Sequence, residues 1–160
     1  MKELFENLQV MTLVDSFDYL IDTCFFIWIF EHHKDKDFEN FIEENRVAMT
    51  SFNIEEFLKV EKKIGDKVKK RVRKFLHKKP RLYLIDIPVK PGNSNLEHIF
   101  VKTVLPELDE KEHDPSDAVL LATAIRTGAD VLTRDKHDMF NSRMENFLKD
   151  YNVKVLNSFP

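Results

Sequence analysis

The 160 residues suit one domain with a substantial core, since a chain of this length buries roughly 68–70% of its unfolded surface. Apolar residues at 42%, charged residues at 33%, 3 glycines and 6 prolines exclude a disordered chain. The net charge of −3 conceals an uneven distribution: residues 59–81 hold twelve Lys or Arg against Glu61 and Asp66, a polyanion-facing stretch beside an acidic, cation-binding remainder. The longest strictly apolar run, residues 24–30, falls far short of the ~20 residues that cross a bilayer. Lys2, Glu3 and Glu6 interrupt the apolar pattern of the N-terminus, against a secretory signal, and a lone cysteine, Cys24, leaves no internal disulfide. Together these features point to the cytoplasm.

In chain order, Leu4, Phe5, Leu8 and Met11 recur near helical spacing and predict a helix over residues 1–17. The expected organisation is therefore a helical extension of residues 1–18 ahead of a domain over residues 19–160. Residues 19–22 read as a short buried strand, followed by an apolar helix to about residue 33. A helix over 38–44 leads into a strand at 46–50. Residues 53–79 read as helical, with Ile64, Val68, Val72, Phe75 and Leu76 as the apolar stripe and Gly65 as an interruption. A strand at 82–87, a helix at 96–105, a helix at 114–128 and a strand at 130–133 come next. A helix at 141–149 and a strand at 152–156 complete the pattern. Strands alternating with helices predict an α/β fold with a mainly parallel sheet, whose ligands sit beyond the carboxyl ends of its strands.

Several acids fall at those ends. Asp22 closes the first strand inside the most apolar window of the chain, where it is either a helix N-cap or a charge held for a cation. Asp135 follows the strand at 130–133 and also suits an ordinary turn; Asp138 nearby reads as solvated. Pro115 at the first helical position makes Asp114 the N-cap and Asp117 the third helical residue, which the helix dipole favours. Asp117 nevertheless heads the face of Leu121 and Ala124, which must be buried. After the strand at 46–50, Glu55 and Glu56 lie 100° apart on a helix. Ile54, Phe57 and Leu58 define its buried side, which flanks Glu56 more closely and leaves Glu55 as the fallback. Each acid has a local explanation, but a cation site explains all four with one cause. Carboxylates without an organised Cys or His set indicate a hard, oxygen-preferring ion, Mg2+ or Mn2+.

The segments LIDT, SFNIEEFL, SDAVLLATA and VLTRD resemble, in order, the motifs of the PIN domain, the fold of many metal-dependent ribonucleases, including toxins of toxin–antitoxin pairs. The resemblance covers most of residues 19–156, and DAVLLATAIRTGADVLTRD is its most specific piece. It implies a PIN-like α/β/α sandwich with a central, mainly parallel sheet and helices on both faces. Carried over by position, Asp22, Glu56, Asp117 and Asp135 are the metal-binding catalytic acids, with Thr133 behind them. The family often has Asn or Ser two residues after its first Asp, where this chain has Cys24, a weaker hydrogen-bond partner. The implied activity is hydrolysis of RNA phosphodiesters, with an antitoxin protein and a homodimer as implied partners. Arg134 and Lys136 beside Asp135, and Lys69, Lys70, Arg71 and Arg73 in the basic segment, are the candidate RNA contacts. The alternative is a PIN-like module that binds RNA or protein without catalysis. A phosphatase that needs a second Asp two residues after the first is excluded by Cys24.

Overall fold

A computed structural model describes residues 1–111, 114–135 and 142–160 of the chain. Helix α1 (Lys2–Glu6) leads to strand β1 (Gln9–Met11), then β2 (Tyr19–Ile21), α2 (Thr23–Glu31), α3 (Asp35–Glu44) and β3 (Val47–Thr50). Next come α4 (Ser51–Val60), α5 (Asp66–His77), β4 (Leu82–Ile85), α6 (Ser94–Val104) and α7 (Pro106–Asp109). The remaining described elements are α8 (Pro115–Thr127), β5 (Asp130–Leu132), α9 (Ser142–Lys149) and β6 (Val155–Leu156). The strands form one six-stranded sheet in the order β1-β4-β3-β2-β5-β6, with parallel pairing throughout.

Alternating strand side chains divide the core into two layers. Leu20, Ala48, Ile85 and Val131 face a layer built from α6, α7, α8 and α9, whereas Ile21, Val47, Met49 and Leu132 face the Phe-rich layer of α1 to α5. The result is the expected α/β/α sandwich. Phe26 shows the density of the second layer: its ring lies 5.9 Å from Phe5, 5.1 Å from Phe30 and 5.5 Å from Phe57. Phe159 packs into the same layer, 5.3 Å from Phe25 and 4.9 Å from Phe41. No described helix is long and apolar enough to cross a membrane.

Two local expectations change. The helix expected over residues 1–17 is confined to Lys2–Glu6, and Gln9–Met11 instead pair with Tyr83–Ile85 as an edge strand. Tertiary pairing outweighs the weak helical periodicity there, while Phe5 and Leu8 remain buried in the core. The single helical pattern of residues 53–79 divides into α4, a 3-10 turn at Glu61–Lys63 and α5, which Gly65 opens as N-cap. The chain builds β2, β3 and β4 outward in one direction and then crosses back to place β5 on the other flank of β2. That reversal opens a crevice beyond the carboxyl ends of the central strands.

Candidate active site

A cleft of about 390 Å3 lies there, lined by Asp22, Thr23, Cys24, Ile27, Glu56, Val60, Asp114, Ser116, Asp117 and Asp135. The four acids singled out from the sequence thus share one cavity. Glu55 is not among its lining residues, and Asp138 and Lys136 lie outside the described residues.

Asp22 caps α2, as its N-cap reading expects, and it also lines the cleft. Its Oδ1 accepts from the Thr23 backbone N–H at 2.8 Å and from Asn53 Nδ2 at 3.3 Å. Its Oδ2 accepts from Thr133 Oγ1 at 2.7 Å and from the Cys24 thiol at 3.2 Å. Burial pushes the Asp22 carboxyl above the usual aspartate range, the Thr133, Cys24 and Thr23 hydrogen bonds oppose that rise, and the charge of Asp135 adds to it. Cys24 therefore does support Asp22, despite being a weak donor. Burial first, and then Asp22 itself, push the thiol up to about 12, so sulfur keeps its proton to donate. Sulfur also accepts from the Arg134 backbone N–H at 3.3 Å.

Thr133 joins two of the acids. It donates to Asp22, and its oxygen accepts from the Asp135 backbone N–H at 3.1 Å, which fixes the backbone just after β5. Glu56, on the second turn of α4, accepts from Asn53 Nδ2 at 3.0 Å and lies 3.3 Å from Thr23 Oγ1. Burial, followed by the charge of Asp22, pushes Glu56 up to about 7 against the pull of Asn53 and Thr23, and Glu97 adds to the rise. Both carboxyls are thus pushed upward, first by burial and then by the negative charge of neighbouring acids.

Asn53 was not singled out from the sequence, yet it organises this wall. Its side-chain amide reaches Asp22, Thr23 and Glu56, and its Oδ1 accepts from Thr50 Oγ1 at 2.8 Å. The available signal was TSFN, an N-cap Thr with a polar residue three positions later, beside two acids that need donors. At the head of α8, Asp114 Oδ1 accepts from the backbone N–H groups of Ser116 at 2.9 Å and Asp117 at 3.2 Å, as Pro115 led one to expect. Asp114 and Ser116 also line the cleft, and behind Ser116 lies the buried Glu97, which the sequence pattern did not mark.

The candidate RNA contacts have varied surroundings. The Arg134 guanidinium lies 4.7 Å from the Trp28 ring centre and donates to the Asn157 carbonyl at 2.7 Å. Arg71 pairs with Asp35, and farther along the same side Lys78 pairs with Glu39 and Arg81 with Glu43, so acids of α3 balance part of the basic segment. Lys69 pairs with Asp66, whereas Lys70 and Arg73 are exposed.

Among the described residues, no lysine, arginine or histidine forms an ion pair with Asp22 or Glu56. Nor do three or more His, Cys, Asp or Glu among them converge as a ready-made metal-ligand set. The acids line the walls of the cleft without closing on a single point.

A PIN domain model matches residues 19–142 of the chain. Comparison with curated proteins gives no match. Among solved structures, the chain is similar to VapBC2 from Rickettsia felis bound to a promoter DNA fragment, with 19% identity and a TM-score of 0.56 over 93% of this chain and 100% of the other. It is also similar to DNA-bound VapBC from Salmonella typhimurium, with 13% identity and a TM-score of 0.53 over 86% of this chain and 96% of the other. These likenesses bear on the fold, and they agree with the parallel sheet and its helical layers. The family match spans the strands and helices that carry Asp22, Glu56, Asp117 and Asp135, and the chain belongs to the PIN domain family.

Proposed function

We propose that the protein is a ribonuclease dependent on Mg2+ or Mn2+, with Asp22, Glu56, Asp117 and Asp135 as its metal-binding acids. The observation that carries this reading is that all four line one cleft, with Asp22 buried, Glu56 half-buried and neither paired with any described cation. Burial of unpaired carboxylates costs several kcal/mol, and a dication in the cleft offsets that cost. The donor set fits a hard ion, since oxygen ligands predominate and the Cys24 thiol stays protonated. When bound, such an ion polarises the scissile phosphate and lowers the pKa of water for attack.

The chain's own groups prepare the site. Thr133, Cys24 and Asn53 hold the Asp22 carboxylate by both oxygens, and the same Asn53 amide nitrogen holds Glu56. Glu56, pushed up to about 7, is placed to hold or release a proton near neutral pH. Lys70 and Arg73 offer exposed charge to an RNA backbone. PIN domains are generally nucleases, which supports phosphodiester hydrolysis. The VapBC neighbours support a toxin-type role with an antitoxin protein as partner. A homodimer belongs to the same reading.

The absence of a converged ligand set among the described residues favours a second reading, a PIN-like module that binds RNA without cleaving it. RNA degradation with Mn2+ or Mg2+ separates the two, with Asp22→Asn and Asp117→Asn as controls. Cation-dependent cleavage by wild type that both variants lose supports the nuclease. RNA binding without cleavage supports the module, and equal cleavage by all three identifies a contaminant.

A further inference from the structure

Glu97 lies on α6 with 3% of its surface exposed, and among the described residues no cationic side chain pairs with it. Its hydrogen-bond partner is Ser116, whose Oγ donates to Glu97 Oε1 at 2.8 Å. Ser116 lines the cleft between Asp114 and Asp117. A serine hydroxyl has one proton and two lone pairs. With the proton committed to the buried carboxylate, Ser116 offers only an acceptor to the cleft.

That polarity is the useful one for a cation. A hydrated dication presents water protons and positive charge, both of which an oxygen lone pair receives and a hydroxyl proton repels. A tie between α6 and α8 alone would need no charge, and an uncharged pair would avoid the desolvation of a carboxylate. The charge of Glu97 is also felt at Glu56, which places it within the electrostatic reach of the candidate metal ligands.

We infer that Ser116 is an additional acceptor of the cation site and that Glu97 is its positioning residue, directing the Ser116 proton inward and its lone pairs toward the bound dication's hydration shell. This inference rests on the cation-dependent reading above.

The test is calorimetric titration of the metal-free full chain with Mn2+, comparing wild type, Ser116→Ala, Glu97→Gln, Ser116→Thr and the Ser116→Ala/Glu97→Gln double variant. Outer partners of metal sites typically contribute 10–100-fold in affinity, so Ser116→Ala and Glu97→Gln should each weaken Mn2+ binding roughly tenfold. The double variant should lose less than the product of the two single losses, because both changes act on the Ser116 oxygen, even though the Glu97 charge also reaches Glu56 directly. Ser116→Thr keeps the hydroxyl and should retain wild-type affinity. Metal-free Glu97→Gln should melt no lower than wild type, which separates the affinity loss from misfolding. Unchanged Mn2+ affinity in either single variant, or losses that multiply in the double variant, would overturn the inference while leaving the cation-dependent reading in place. Failure of wild type to bind Mn2+ would overturn both.

Discussion

Asp22 and Glu56 hold their protons more tightly in the folded chain than in the unfolded one, Asp22 because of burial and Glu56 because of burial and the neighbouring Asp22 charge. The folded state therefore binds more protons between the ordinary carboxylate range and about pH 7, and stability must fall as pH rises through that window. The Glu56 rise to about 7 corresponds to roughly 3 kcal/mol. Urea denaturation of the metal-free protein should give a higher unfolding free energy at pH 5 than at pH 8, with Mn2+ restoring much of the difference at pH 8. A flat or rising profile would contradict the burial of these charges. Asn53→Ala removes an amide donor from both carboxylates and should cost about 2–3 kcal/mol, read by the same denaturation. A loss below about 0.5 kcal/mol would show that water replaces Asn53 without penalty. Asp22 was legible because an acid in an apolar window at a strand end has few explanations. Asn53 and Glu97 were not, because their importance lies in which distant side chains the fold places beside them.

At the level of elements, capping chemistry is more legible in the sequence than strand length. Asp114 and Pro115 open α8 as expected and Gly128 closes it, because each acts on backbone groups within a few residues. β1 escaped notice because three residues carry little periodicity and its pairing partner lies more than seventy positions away. Glycine substitutions make the distinction measurable. Gly128 closes α8 with φ at +72°, so Gly128→Ala should lower stability by about 1 kcal/mol through backbone strain, although space is open around it. Gly65 opens α5 with φ at −61°, no side-chain cap and no atom near a new Cβ. Gly65→Ser should therefore raise stability by about 0.5–1 kcal/mol, through a new cap and a less flexible unfolded chain. Thermal melts that move the two variants in the same direction would refute this pairing of causes. The ion pairs that α3 makes with Arg71, Lys78 and Arg81 are partly exposed, and each is worth less than about 1 kcal/mol.

Over the whole molecule, α1 and β1 belong physically to the sandwich even though the family match begins at residue 19. Phe5 is 1% exposed and its ring meets those of Phe26 and Phe57, so Phe5→Ala should cost about 3–4 kcal/mol in a denaturant titration. A cost below 1 kcal/mol would mean that residues 1–18 are dispensable to the core. The sheet order was not written in any single segment. Alternating strands and helices identify a parallel sheet, but the crossing that puts β5 beside β2 is set by which apolar faces can be covered together. That crossing brings Asp135 and Asp22 within electrostatic reach across 113 positions of sequence.

Residues 157–159 also bear on that meeting. Arg134 grips the Asn157 carbonyl, and Phe159 is wedged among Phe25, Phe38 and Phe41 two residues later. The segment works as a guy-line: it is anchored in the aromatic layer and pulls on the residue just before Asp135. Rigidity at one edge of the cleft is thus borrowed from a ring seated outside it. Removing that ring would act on Arg134 through Asn157 while leaving every residue that lines the cleft unchanged.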